Sequence, residues 1–274
     1  MTFARNVIII ILVIHDPNLH IPMYFFLGNL SVLEILITTS IIPKILVSLL
    51  LGNKSISYPG CLSQCYFFFF LGSSDFVLLT VMSYDRYMAI CNPLQYPVIM
   101  RFEFCLWLVI GCYAVSFFGT ILPTNLVTNL SFCGRNQIGH FFCDSLALMK
   151  LACTDLNLVA LISFFSSSVI VVGSLISTII SYVNIITVIV QIPSSSGRQR
   201  AFSTCSSHLI VDSLEYSSCI FMYVQLSGNN PSTNKIVSLI NIVLTPLLSP
   251  FIFSLRNKQM KDAVKTIFIK HAVY

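Results

Sequence analysis

Met82-Ser83-Tyr84-Asp85-Arg86-Tyr87-Met88-Ala89-Ile90-Cys91 closes a long apolar run that begins at Tyr66, and it sets two opposite charges side by side at the end of that run. A charge is expensive in hydrocarbon and tolerable in the interface. The pair therefore marks a helix end at a membrane surface. Such a pair is either an ordinary interfacial ion pair or a latch, since a partner offering acceptors to Arg86 could open it.

The composition agrees with a membrane setting. Of 274 residues, 56% are apolar and only 9% are charged, against about 25% charged in soluble domains. Too few charges remain to cover a soluble surface, so the chain reads as an integral membrane protein of one helical bundle. The net charge of +5 is small, and the basic residues form no nucleic-acid-like patch. Ten cysteines include no Cys-x-x-Cys pair, which argues against zinc or thioredoxin chemistry. Cys133, Cys143 and Cys153 lie in a polar segment and are disulfide candidates. Cys105, Cys112, Cys205 and Cys219 lie in or beside apolar runs and read as packing residues.

Outward from the charged pair, the apolar periodicity predicts helices over 3–14, 22–51, 60–91, 104–123, 158–192, 200–225 and 236–255, all within a single domain. The first is too short to span, reaching about 18 Å against a hydrocarbon core of about 30 Å. Pro22 suits a first helical turn, and Pro43 permits a kink. Met260, Ala263, Val264, Ile267 and Phe268 follow a helical stripe with lysines off it, predicting an interfacial amphipathic helix over 257–269. Glu34 and Asp75 both fall mid-membrane without a basic neighbour in sequence, so they either share a proton or hold a cation. Asn53 and Asn129 head sequons on the cysteine-rich side.

Nine basic residues, Arg86 and Arg256 among them, face one side and five the other. This places the Asp85-Arg86 pair and the carboxyl end in the cytoplasm, and the disulfide candidates on the oxidising side.

Four strings at ordered spacing resemble the olfactory receptors, a branch of the rhodopsin-like G-protein-coupled receptors. They are the Met82–Cys91 stretch, Leu19-His20-Ile21-Pro22-Met23-Tyr24-Phe25-Phe26-Leu27-Gly28-Asn29-Leu30-Ser31, Arg200-Ala201-Phe202-Ser203-Thr204-Cys205-Ser206-Ser207-His208, and Pro246-Leu247-Leu248-Ser249-Pro250-Phe251-Ile252-Phe253-Ser254-Leu255-Arg256-Asn257. The resemblance implies a seven-transmembrane helix bundle in the plasma membrane, with disulfides Cys61–Cys143 and Cys133–Cys153. It implies a small volatile, mostly apolar odorant bound near Phe68, Phe69, Gly72, Ser73, Ser166, Ile170, Tyr216, Cys219 and Tyr223. It also implies coupling to a stimulatory olfactory-type G protein that raises cAMP. Asp85, Arg86, Tyr87, Tyr182, His208, Ser249, Pro250 and Phe253 would be its switch residues. His208 reads either as a proton-responsive group or as a hydrogen-bonded packing residue. Glu34 and Asp75 match the region where such receptors bind sodium; no other cofactor is implied.

Ser249 and Phe253 stand where the family pattern has Asn and Tyr, which puts switching in doubt. Asp212 and Glu215 put two acids where the family carries apolar or small residues. Glu215 would be either a counter-ion for an amine ligand or, with Asp212, a loosening defect. The resemblance also implies an outer half of helix 1 ahead of Asn6 that this sequence lacks, so an internal start or a truncated chain is expected, and a truncated or degenerate receptor with little signalling is one alternative. A transporter or channel is another, although internal repeats or paired broken helices are missing from the sequence. A membrane enzyme would need a catalytic cluster, and the five histidines are scattered.

Overall fold

The computed structural model describes residues 2–51, 55–133, 138, 142–226, 246, 248, 249, 252 and 260. Among these the regular structure is helical: α1 (Thr2–His15), α2 (Pro22–Leu50), α3 (Tyr58–Cys91), the short α4 (Tyr96–Ile99), α5 (Phe102–Thr128), the short α6 (Ser145–Met149), α7 (Asn157–Gln191) and α8 (Ser195–Leu226). The expected helices over 236–255 and 257–269 fall mostly outside the described residues, with Pro246, Leu248, Ser249, Ile252 and Met260 described as helical.

Four of these helices, α2, α3, α5 and α7, are long and apolar enough to cross a membrane. The 32 residues of α8 reach about 48 Å at 1.5 Å each, so length does not limit it. Its serines, Asp212 and Glu215 make it the more polar helix. The 14 residues of α1 reach about 21 Å.

Two boundaries differ from the sequence expectation. Pro123 lies inside α5, which continues to Thr128 rather than ending there. Proline has no N–H to offer the Gly119 carbonyl, yet neighbouring helices and hydroxyls make such a break tolerable inside a membrane bundle. At α8 the helix begins at Ser195, because the turn-rich segment after Pro193 caps it, with Ser194 Oγ accepting from the Gly197 N–H at 3.2 Å.

The bundle is built around α3, which packs against α2, α5 and α7. Its residues Leu71, Leu78, Leu79 and Met82 are buried with Tyr24, Phe26 and Leu30 of α2. The outward faces of α5 and α7 are apolar and exposed, with Trp107, Phe118, Phe164 and Phe165 among them. In a bilayer these meet lipid, so helix association rests on packing and on polar contacts rather than on water exclusion.

At the outer end, Cys61 is bonded to Cys143 and Cys133 to Cys153. The second ring is braced by a bridge pairing Phe132 with Ala152. Gln64, one turn along α3 from Cys61, donates through Nε2 to the Ser40 carbonyl at 2.9 Å and accepts from the Cys143 N–H at 3.1 Å. One buried amide thus ties α2, α3 and the loop together.

Candidate functional site

At the inner end of α3, Asp85 and Arg86 are both buried, 1% and 7% exposed. Arg86 Nε donates to Asp85 Oδ2 at 2.9 Å, and Nη2 donates to the same oxygen. The other carboxylate oxygen, Oδ1, accepts from the Tyr96 hydroxyl at 2.8 Å. Pro97 lies within the first two residues of α4, and this short helix brings Tyr96 back under α3. Burial and the neighbouring Asp85 charge hold the Tyr96 phenol above the ordinary tyrosine value of 10.0.

Tyr96 was not among the residues singled out from sequence. The only signal was a tyrosine beside a proline in an otherwise polar loop. Tyr87 is half-buried, its ring 6.4 Å from that of Tyr84. Tyr182 of α7 is buried with Ile185, Ile189 and Cys205. Its hydroxyl is paired with the Asp212 carboxyl outside normal hydrogen-bond geometry, and it lies within electrostatic reach of Arg86. His208 is buried on α8, also within reach of Arg86.

The mid-bundle acids come together. Glu34 lies within electrostatic reach of Asp75, with Asn6 of α1 and Ser249 close to its carboxyl. Glu215 interacts with Asp75, Glu34 and Asp212. Glu34 Oε2, Asp75 Oδ1 and both polar atoms of Asn6 are buried without a hydrogen bond of normal geometry. Hard oxygen donors left over in this way suit a small monovalent cation, and Glu34 with Asp75, Asn6 and Ser249 are the residues that would hold it. Among the described residues, no group of three or more His, Cys, Asp or Glu side chains converges as a metal site.

The expected ligand-binding residues divide. Phe69, Ser73 and Ile170 line a cleft of about 450 Å³, counting its open mouth, between α3, α5 and α7. Phe68 instead packs on Phe69 and Phe142, with ring centroids 5.3 and 5.2 Å away. Gly72 has nothing within 4 Å of where a Cβ would stand. Ser166 is replaced at the cleft by Ser163 and Ser167, because one residue along a helix turns about 100°. The Tyr216 ring lies tilted against that of Phe76, centroids 5.4 Å apart, and its hydroxyl pairs with Thr178 Oγ1 at 3.3 Å. Cys219 is buried away from the cleft. The side chain of Tyr223, and Pro250, Phe253 and Asn53, lie outside the described residues. Asn129 is exposed at the end of α5.

Sequence reading also missed the α5 wall. Thr120 and Thr124 are four apart and share a face, as do Ser163 and Ser167 on α7. A Cβ at Gly119 would stand 2.8 Å from Ile170 Cδ1, so the two helices approach closely there.

Helices long and apolar enough to cross a membrane, a buried ion pair at one end and a cleft toward the other together define a polytopic helical membrane protein. The family model described as olfactory receptor matches residues 1–271. Human olfactory receptor 6C75 is 48% identical over 271 residues, which cover 98% of this chain and 87% of the relative. Human olfactory receptor 6S1 is 48% identical over 98% of this chain and 82% of its own length. Mouse olfactory receptor 6E1 is 46% identical over 95% of this chain and 84% of its own. The chain belongs to the olfactory receptor family. It is a multi-pass membrane protein with the seven-transmembrane helix bundle of odorant-sensing G-protein-coupled receptors.

Proposed function

We propose that the chain binds a small volatile, mostly apolar odorant in its outer half and couples to a stimulatory olfactory-type G protein that raises cAMP. The carboxyl end and the Asp85-Arg86 pair face the cytoplasm at the plasma membrane. The observation that carries this reading is the buried pair of Arg86 with Asp85, held from below by Tyr96. It is a closed arrangement at the face where a G protein would dock. A ligand opens it only through its differential affinity for the open and closed bundles. On opening, Tyr182, buried beside Cys205 and within electrostatic reach of Arg86, is placed to receive Arg86. Phe69, Ser73 and Ile170 are the expected ligand-binding residues that meet at one cleft. A sodium ion between Glu34 and Asp75 would favour the closed state.

The test is an odorant panel on cells expressing the chain, with surface labelling and cAMP read together. Arg86→Ala should abolish odorant-driven cAMP at unchanged surface level. A response that survives it would refute the latch. A second reading, a receptor that reaches the surface poorly, is favoured by one observation: Asp212 and Glu215 join two buried acids already present. Removing both acids should then raise the surface level.

A further inference from the structure

Most buried hydroxyls in this bundle are spoken for by their own helix. Ser74, Ser83, Ser116 and Ser174 each donate to a carbonyl three or four residues back, the usual outcome where water is absent. The cleft between α3, α5 and α7 differs. Thr120 there donates to the Ser116 carbonyl at 2.7 Å. Ser73, Thr124, Ser145, Ser163 and Ser167 line the same cleft, and none of their hydroxyls makes a hydrogen bond among the described residues. Ser163 Oγ is fully buried in this condition.

Five uncommitted O–H groups therefore arrive from four elements, α3, α5, α6 and α7, onto one space. A hydroxyl can both donate and accept, but an O–H held in an apolar bundle without an acceptor carries an unmet desolvation penalty. An occupant that brings acceptor oxygens relieves it. The rest of the wall is Phe69, Pro123, Val127 and Ile170, which suits an alkyl body. None of the lining residues is an Asp, Glu, Lys, Arg or His, so a carboxylate or ammonium would enter without a counter-charge.

We propose that this cleft is a binding site for neutral molecules with an acceptor oxygen on an alkyl body, of the aldehyde, ketone or ester type, and that the buried Ser163 hydroxyl with Ser167 one turn away anchors that oxygen. The proposal rests on the reading of the chain as a ligand-binding receptor and names the class of ligand. It places the amine-binding role considered for Glu215 outside this cleft.

The test uses the full chain in lipid nanodiscs and a matched series: hexanal, methyl pentanoate, hexane, hexanoate and hexylamine. Ligand-dependent thermal stabilisation gives the apparent affinities. Hexanal and methyl pentanoate should stabilise the chain saturably, and the other three should bind about tenfold more weakly or not at all. The double substitution Ser163→Ala with Ser167→Ala should weaken hexanal by about tenfold, the worth of one or two hydrogen bonds, and leave hexane unchanged. If that variant shows no cooperative unfolding, Ser163→Cys and Thr124→Val, which keep the packing, take its place.

Hexane binding as tightly as hexanal, a preference for hexanoate or hexylamine, hexanal affinity within twofold in the serine variants, or no saturable shift from any member would each overturn the proposal. Parallel cAMP assays separate it from the signalling reading. Serine-dependent hexanal binding without cAMP condemns the signalling and leaves the site. A hexanal-driven cAMP response indifferent to the serines does the reverse.

Discussion

The Tyr96 hydroxyl donates to Asp85 Oδ1 at 2.8 Å while Arg86 holds Oδ2, so the carboxylate is gripped on both oxygens by groups from two different segments. A hydrogen bond to a charged group contributes about 1.5–3 kcal/mol. Removing it with Tyr96→Phe should shift the latch toward the open form by about tenfold or more. Ligand-free cAMP, normalised to surface receptor, should rise. An unchanged basal level would show that the Arg86 contact suffices alone.

The same phenol gives a pH signature. Its proton is held above the ordinary value of 10.0 by burial and by Asp85. Because the folded state binds that proton more tightly than the unfolded chain does, the contribution is complete below pH 10 and is lost as pH rises through the elevated folded value. Tyrosinate absorbance of the native chain minus that of Tyr96→Phe should show no ionisation from this residue at pH 10.

The outer tethers should differ in weight. The cysteines of the bond from α3 to the loop are 82 residues apart in sequence and those of the bond within the loop 20, which the chain-entropy model converts to about 4.5 and about 3.3 kcal/mol. Cys61→Ala should lower the thermal midpoint more than Cys133→Ala. Gln64→Leu strands the Ser40 carbonyl and the Cys143 N–H, and should lose about 1–3 kcal/mol.

Gly119 offers a steric test of the cleft. A methyl there meets only the flexible tip of Ile170, so Gly119→Ala should be mild. Gly119→Leu overpacks the α5–α7 approach by about 1–3 kcal/mol and should reduce odorant potency by about tenfold. Partial restoration by Ile170→Ala would place the effect at this contact.

The two acids of α8 can be tested by reversal. An acid at a membrane helix centre costs about 2.5–3.5 kcal/mol on the insertion scale, and Asp212 Oδ2 is buried without a hydrogen bond of normal geometry. Asp212→Val with Glu215→Phe should raise both the thermal midpoint and the surface level. A fall in either would mean that the carboxyls are held by partners the bundle needs.

Helix type and the charged end of α3 were legible because hydrocarbon tolerates few patterns: long apolar runs, with charge at their edges. The acids Glu34 and Asp75 were legible for the same reason, being conspicuous where they lie. Tyr96 was not, since nothing in a loop's composition shows which side chain folds back under a helix. Ser167 and Thr124 were missed for a geometric reason. Helical phase decides which serine of Ser166-Ser167-Ser168 faces inward, and a neighbouring helix sets that phase. Pro123 misled because a residue that ends helices in water can be accommodated inside a bundle.

Cys61 and Gln64, on one face of α3, both hold the same loop residue: the first grips Cys143 through sulfur, the second through its backbone nitrogen. A strap fastened twice at a single point cannot peel away from the bundle. The short helix α6 starts two residues on from that anchored point, and its first residue, Ser145, is thereby held as part of the cleft wall.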